Sequence, residues 1–300
     1  GRLDMAFRDQ KYKHARVPVR RMLKLRVVRP VTQFVARSVF THLTIEQQLL
    51  IEKLAYLSLR KESRRLAQVL ERHGVDLLFS TMPVVAYFDR PAVWAARRSG
   101  IPAACIVPGW DNLHSKGRLP VCFTHVLVWS EWMAEILRAQ YPEISPDRIS
   151  VTGPLFMDFY FRDELRAGRE EFIGSLGGNH ERPLIVWACA PRSQTPNQPA
   201  MIEEFWEAVR RGRVRGRPQL LVRPHPVGGG VQFEDFRVRH PEVLFTETNS
   251  DDPGSGTRWN PSLEDTRILV NSVVHADVMV NFSSTITLEA FVVDRPVVNL

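Results

Sequence analysis

The sequence predicts an α/β protein made of two Rossmann-like parallel-sheet domains. Three observations predict it. From Val75 to Leu300, short apolar runs of strand length alternate with helical segments, the pattern of a parallel sheet with helices on both faces. The runs are continuously apolar, as in VDLLFS and HVLVW, rather than alternating, as strands covered on both faces are. The series also occurs twice, on either side of a charged, glycine-bearing stretch from Phe159 to Arg182. One domain therefore spans 1–165 and the other 180–300.

The chain of 300 residues is long enough for two such domains. No stretch approaches the roughly 18 uninterrupted apolar residues of a membrane span, and the first residues are polar and basic, unlike a signal peptide. Cys105, Cys122 and Cys189 are scattered through apolar contexts with no metal-ligand spacing. This argues against zinc and for a reducing, cytoplasmic compartment. No metal and no cofactor is expected. Eleven of the 40 Lys and Arg residues lie between Gly1 and Arg37, against Asp4 and Asp9 alone, within a net charge of +7. Such a run suits peripheral contact with an anionic membrane face, or is a solvated basic face. No motif that reads DNA or RNA is present. The chain begins at Gly1 and stops on a fresh strand at Leu300, so it reads as part of a longer protein, with both domains incomplete at the outer ends.

In order, Gly1 to Pro30 shows no clear period, while Val31 to Phe40 and Ile45 to Arg72 read as helices, a basic helical lead-in. Gly74 stops the second. Val75 to Ser80 is a strand, Arg90 to Arg98 a helix closed by Gly100, and Ala103 to Val107 a strand. His125 to Trp129 is the next strand, Ser130 caps a helix to Ala139, and Ile149 to Thr152 is a strand ending in Gly153-Pro154. Phe159 to Arg182 holds a helix and a linker. The second series has strands at Leu184 to Ala188, Leu220 to Arg223, Val243 to Thr246, Asp277 to Asn281 and Val297 to Leu300. Its helices are Ala200 to Arg210, Leu263 to Val274 and Ile286 to Val293, the last stopped by Asp294-Arg295-Pro296. A polar loop fills Asn249 to Pro261.

In open parallel sheets ligands bind beyond the carboxyl ends of the strands, and that rule selects the loops worth reading. Ser283, Ser284 and Thr285 stand between a strand and a helix, where free backbone N–H groups bind an anion. Glu289 lies one helical turn further on. Phosphates on the helix end and a ribose diol on the acid suit a nucleoside diphosphate; an ordinary helix cap is the plainer alternative. The loop APRSQT brings Arg192 and Ser193, and RPHPV brings Arg223 and His225, to the same edge, where guanidinium forks bind phosphate. In the first half, the loop PGWDNLHSKG from Pro108 to Gly117 carries Asp111 and His114, either of which can serve as general base; a polar turn is the alternative. Gly228 to Gly230 is a flexible loop, and Asp251-Asp252 is not a DxD metal motif.

The stretches HADVMVNFSSTITLEAFVVDRPVVNL and RPHP, with the first series ending in ISVTGPLFMDFY, resemble the GT-B glycosyltransferases. The likeness runs from about Val75 to Leu300 and is nearest to CDP-glycerol glycerophosphotransferases and related bacterial surface-carbohydrate transferases. It implies two Rossmann-like domains facing across a cleft. It implies Ser283, Ser284 and Thr285 on the donor diphosphate, Glu289 on the donor's ribose or sugar, and His225 and Arg223 towards the phosphates. The His-Gly-Thr-Pro of the glycerophosphotransferases is replaced here by Gly109-Trp110-Asp111-Asn112, leaving Asp111 or His114 as bases.

The function expected is a metal-independent transferase. It would move a glycosyl or polyol-phosphate group from a UDP-, CDP- or GDP-linked donor to a glycan or lipid-linked acceptor hydroxyl. Its catalytic residues would be Asp111, His114 and His225. Two alternatives stand beside it: a non-hydrolysing UDP-sugar 2-epimerase, which shares the fold and needs no acceptor, and a non-enzymatic nucleic-acid-binding protein.

Overall fold

A computed structural model describes residues 57 to 300, apart from 58, 82, 84–88, 116–118, 120–122, 193, 227–229, 248–260 and 283. The helical and basic readings for residues 1–56, Ser193, Ser283 and the polar loop after residue 248 fall outside the described residues. The chain divides into two compact units, Gly1–Leu155 and Phe156–Leu300. The segment expected to separate the domains, Phe159 to Arg182, lies wholly in the second unit.

In the first unit, α1 (Arg60–Arg72) precedes β1 (Leu78–Ser80), α2 (Asp89–Arg98), β2 (Ala103–Ile106), the single turn α3 (Asn112–Ser115), β3 (His125–Val128), α4 (Glu131–Gln140) and β4 (Ile149–Val151). The four strands form one parallel sheet in chain order. β1 starts three residues later than its apolar run suggests. Gly74, at φ +57°, turns the chain out of α1, and the Gly74 and Val75 amides bond back to Glu71 and Leu70. Val75 to Leu77 are used in leaving the helix, and Leu77 is exposed. A left-handed glycine with backward amide bonds is the usual way a helix end satisfies its last carbonyls. Ser130 caps α4 by accepting the Met133 amide at 3.4 Å, and Met133, Ala134, Ile136 and Leu137 form its buried face.

A 3₁₀ turn, Leu155–Phe161, begins on the last residue of the first unit and leads into the second, where another, Asp163–Leu165, follows. There follow α5 (Arg169–Ser175), β5 (Leu184–Ala188), α6 (Gln198–Arg210), β6 (Gln219–Arg223), α7 (Glu234–Arg239), β7 (Leu244–Phe245), α8 (Leu263–Val274), β8 (Val278–Asn281), α9 (Ile286–Val292) and β9 (Val297–Asn299). All five strands are parallel, in the order β7-β6-β5-β8-β9. The chain enters at the centre, builds to one side, and returns to build the other, so the switch point lies between β5 and β8.

Strand side chains alternate between faces, and the two cores of this unit follow that rule. Leu184, Val186, Ala188, Leu221 and Met279 pack with residues of α5, α8 and α9 on one face. Ile185, Trp187, Leu220, Val222 and Val280 pack with residues of α6 and α7 on the other. α8 begins in a full capping box: Ser262 accepts the Asp265 amide, and Asp265 accepts the Ser262 amide. Asp294, at φ +56°, ends α9, with the Arg295 amide returning to Ala290 at 2.9 Å.

Candidate functional site

The register aligns Ala188 at the end of β5 with Arg223 on β6 and with Asn281 on β8. Three neighbouring strands thus end together at the switch point, where an open α/β sheet offers its binding crevice. By the same alternation, Arg223 and Asn281 project to the face of Leu221 and Met279, which is the face that α9 covers.

Asn281 is fully buried and ties down the turn into α9. Its Oδ1 accepts the Ser284 amide at 3.1 Å. Its Nδ2 donates to Thr287 Oγ1 at 3.1 Å, and the Thr287 hydroxyl lies within reach of both Asn281 and Asn299 as acceptors. Ser284 Oγ accepts the Ile286 amide at 3.4 Å. Ser284 and Thr285 are exposed at the mouth of this turn.

Glu289 lies one turn into α9, between buried Ile286 and Ala290. Tyr160, from the 3₁₀ turn that leads into the unit, is buried among the α5, β5 and α8 side chains. Its hydroxyl donates to Glu289 Oε2. Burial raises the Glu289 carboxyl above the usual carboxylate range, and the Tyr160 hydrogen bond and the Arg223 charge pull it back only in part. Burial, followed by the Glu289 charge, drives the phenol upward, so Tyr160 remains a donor. Burial lowers Arg223, and the carboxylate charges of Glu289 and Asp265 oppose that shift. Cys189, just past β5, is buried and its thiol is pushed well up, so it stays protonated. The result is an ionisable carboxylate, a phenol donor and a guanidinium grouped at the strand ends.

The loop after β5 is tied to the start of α6 through one side chain. Buried Gln198 accepts the Ala190 amide and donates to the Ala190 and Thr195 carbonyls, at 2.8, 2.8 and 3.1 Å. Arg192 is exposed on this loop, and His225, two residues past β6, is partly buried. In the first unit, Asp111 follows β2 and its Oδ1 accepts from Asn112 Nδ2 at 2.9 Å. A Cβ at Gly109 would stand 2.5 Å from the Asn112 side-chain nitrogen, so a larger residue there would displace the Asp111–Asn112 pair. His114 lies on the backbone of α3, and its side chain is outside the described part. Among the described residues no group of three His, Cys, Asp or Glu could hold a metal ion. No helix among them is long and apolar enough to cross a membrane.

Sequence reasoning singled out Arg223 and Glu289 and passed over Tyr160 and Asn281. Asn281 carried a signal, a lone polar residue closing an apolar strand. Tyr160 carried none, being 129 residues from its partner.

Neither a protein-family profile nor a curated protein sequence matches the chain. Solved structures do match. UDP-GlcNAc 2-epimerase from Neisseria meningitidis, bound to UDP-GlcNAc, aligns over 98% of this chain and 80% of its own, at 14% identity and a TM-score of 0.56. The UDP-GlcNAc 2-epimerase of Methanocaldococcus jannaschii aligns over 86% of this chain and 67% of its own, at 13% identity and 0.54. The S. aureus MnaA–UDP complex aligns over 81% and 61%, at 15% identity and 0.52. The chain thus spans between 61% and 80% of the length of these three. The likeness establishes the fold: two parallel-sheet α/β units of the GT-B-like kind.

Proposed function

We propose that this chain is a nucleotide-sugar enzyme whose second unit holds the nucleoside diphosphate, and that its reaction is epimerisation of a UDP-sugar at C2. The observation that carries the binding half is the grouping of Glu289, Tyr160 and Arg223 at the carboxyl ends of β5, β6 and β8. A carboxylate beside a guanidinium is the pair that a ribose joined to a diphosphate needs: the diol donates to the acid, and the phosphates draw on the cation. Arg223 would neutralise the diphosphate, joined by Arg192, Ser193 and His225 from the neighbouring strand-end loops. Ser283, Ser284 and Thr285 would offer hydroxyls and amides to the same phosphates.

Epimerisation is preferred over transfer because the structurally similar proteins named above are 2-epimerases, or are bound to UDP or a UDP-sugar. Inverting C2 needs a base to take its proton while the C1–O bond to the diphosphate breaks, so that the electron pair forms a C1–C2 double bond. An acid then returns a proton to the other face of C2 as the diphosphate rejoins C1. Asp111, His114 and His225 are the residues assigned to those tasks.

The second reading is a metal-independent transferase, with a UDP-, CDP- or GDP-linked donor and a glycan or lipid-linked acceptor. Transfer of a polyol phosphate, as by the CDP-glycerol enzymes, belongs here. Asp111 favours it: a carboxylate on the loop past β2, held there by the Asn112 side-chain amide, is the kind of group that takes a proton from an entering hydroxyl. Peripheral membrane contact through the basic N-terminal residues would bring a lipid-linked acceptor within reach.

Incubating the protein with UDP-GlcNAc and no acceptor, followed by proton NMR, separates the two. Appearance of the 2-epimer, approaching the same mixture from either side, is the expected result. No epimer, with donor consumed only when an acceptor is added, would replace this reading with the second.

A further inference from the structure

Tyr160 is fully buried in the core beneath α5, β5 and α8, yet its one polar atom is spent on Glu289. It reaches that carboxylate from the 3₁₀ turn Leu155–Phe161, outside the sheet altogether. A phenylalanine would fill the same apolar volume. The hydroxyl is therefore not explained by packing, and a donor aimed at one carboxylate oxygen restricts where the other can point.

We propose that Tyr160 is a positioning residue of the nucleotide site: its hydroxyl fixes the Glu289 carboxylate so that the free oxygen meets the ribose diol of a nucleoside diphosphate. The proposal rests on Glu289 as the ribose acceptor, as set out above. Its physical basis is preorganisation. A carboxylate already held by one charge-assisted hydrogen bond loses less freedom when the ribose binds. The bond also favours the ionised acid, the form that can accept both hydroxyls. The charged and titratable groups acting on Glu289 are Tyr160 and Arg223; Arg223 in turn faces the Asp265 carboxylate on α8 and the protonated thiol of Cys189 just past β5.

The test compares UDP with 2′,3′-dideoxy-UDP, by calorimetry, on the full protein and on Tyr160→Phe, Glu289→Ala and Glu289→Gln. The wild type is expected to prefer UDP, and Glu289→Ala to lose that preference. If Glu289→Ala keeps the preference, the ribose reading itself fails. Given that loss, Tyr160→Phe is expected to lower the preference about tenfold, the effect of one hydrogen bond to a charged group. The acid limb of the preference should also move to higher pH, since removing the donor raises the carboxyl further. Adding Tyr160→Phe to Glu289→Ala should change nothing more, whereas in Glu289→Gln, which keeps an oxygen for the hydroxyl, a smaller effect should remain. An unchanged preference and pH limb in Tyr160→Phe, or an equal weakening of both ligands, would overturn the positioning role. A second measurement needs no variant. UDP, but not the dideoxy compound, should slow amide exchange across residues 155–161, and equal exchange with both ligands would count against the proposal.

Discussion

Glu289 is held between opposed tendencies. Burial raises its carboxyl, while Tyr160 and Arg223 favour the charge. Because the folded pKa lies above the ordinary carboxylate value of 4.5, the folded chain holds this proton more tightly than the unfolded one. Stability contributed at this site is therefore present at low pH and is lost as pH rises through the folded pKa. Glu289→Gln keeps an oxygen for the Tyr160 hydroxyl and removes the charge. It is expected to melt at the same or a higher temperature than the wild type at pH 7, with the gap closing near pH 4, while binding UDP more weakly. A variant less stable at pH 7 would mean that the ion is a net support of the fold. This residue was legible in the sequence, since it stands one helical turn past a hydroxyl-rich strand end. Tyr160 was not, because a tyrosine inside LFMDFYF reads as one more apolar residue until the fold brings α9 to it.

At the scale of elements, the segment bearing Tyr160 depends on α8. Buried Asn271 on α8 accepts the Ala167 amide at 2.8 Å and donates to the Leu165 carbonyl at 2.9 Å. These bonds fasten the second 3₁₀ turn and the start of α5 to the core. Asn271→Ala would leave both backbone groups without that partner, at a cost of about 2 kcal/mol. Urea unfolding measures it, and UDP binding should weaken as well, because Tyr160 lies just upstream. A stability change within about 0.5 kcal/mol, the range of an ordinary surface substitution, would show that other groups replace Asn271. The elements themselves were largely legible. β5 and α8 coincide with their apolar runs, because continuous apolar strands and a Ser-x-x-Asp helix start are local signals. The misreadings occurred where the chain uses apolar residues for something other than a strand, as at Val75 to Leu77 on leaving α1. The short 3₁₀ turns before α5 were not legible either, since they follow from contacts with α8 rather than from any period.

For the whole molecule, two parallel α/β series could be read because the strands and the longer helices carry local signals in the sequence, while the short α3 and α7 do not. The order β7-β6-β5-β8-β9 could not, because which strands pair is decided by packing between distant residues such as Ile185 and Val278. That order places β5 and β8 at the switch point and so gives the Ser284 turn and Glu289 their significance. The central claim, that the second unit binds a nucleoside diphosphate, is tested most directly by calorimetric titration of UDP, CDP and GDP into the wild type and into a Ser284→Ala, Glu289→Ala double variant. The account predicts that UDP binds and that the double variant binds it at least about tenfold more weakly, the loss of one or more charge-assisted hydrogen bonds. Absence of binding by all three nucleotides, or equal binding by the variant, would contradict it and leave the turn into α9 a structural cap.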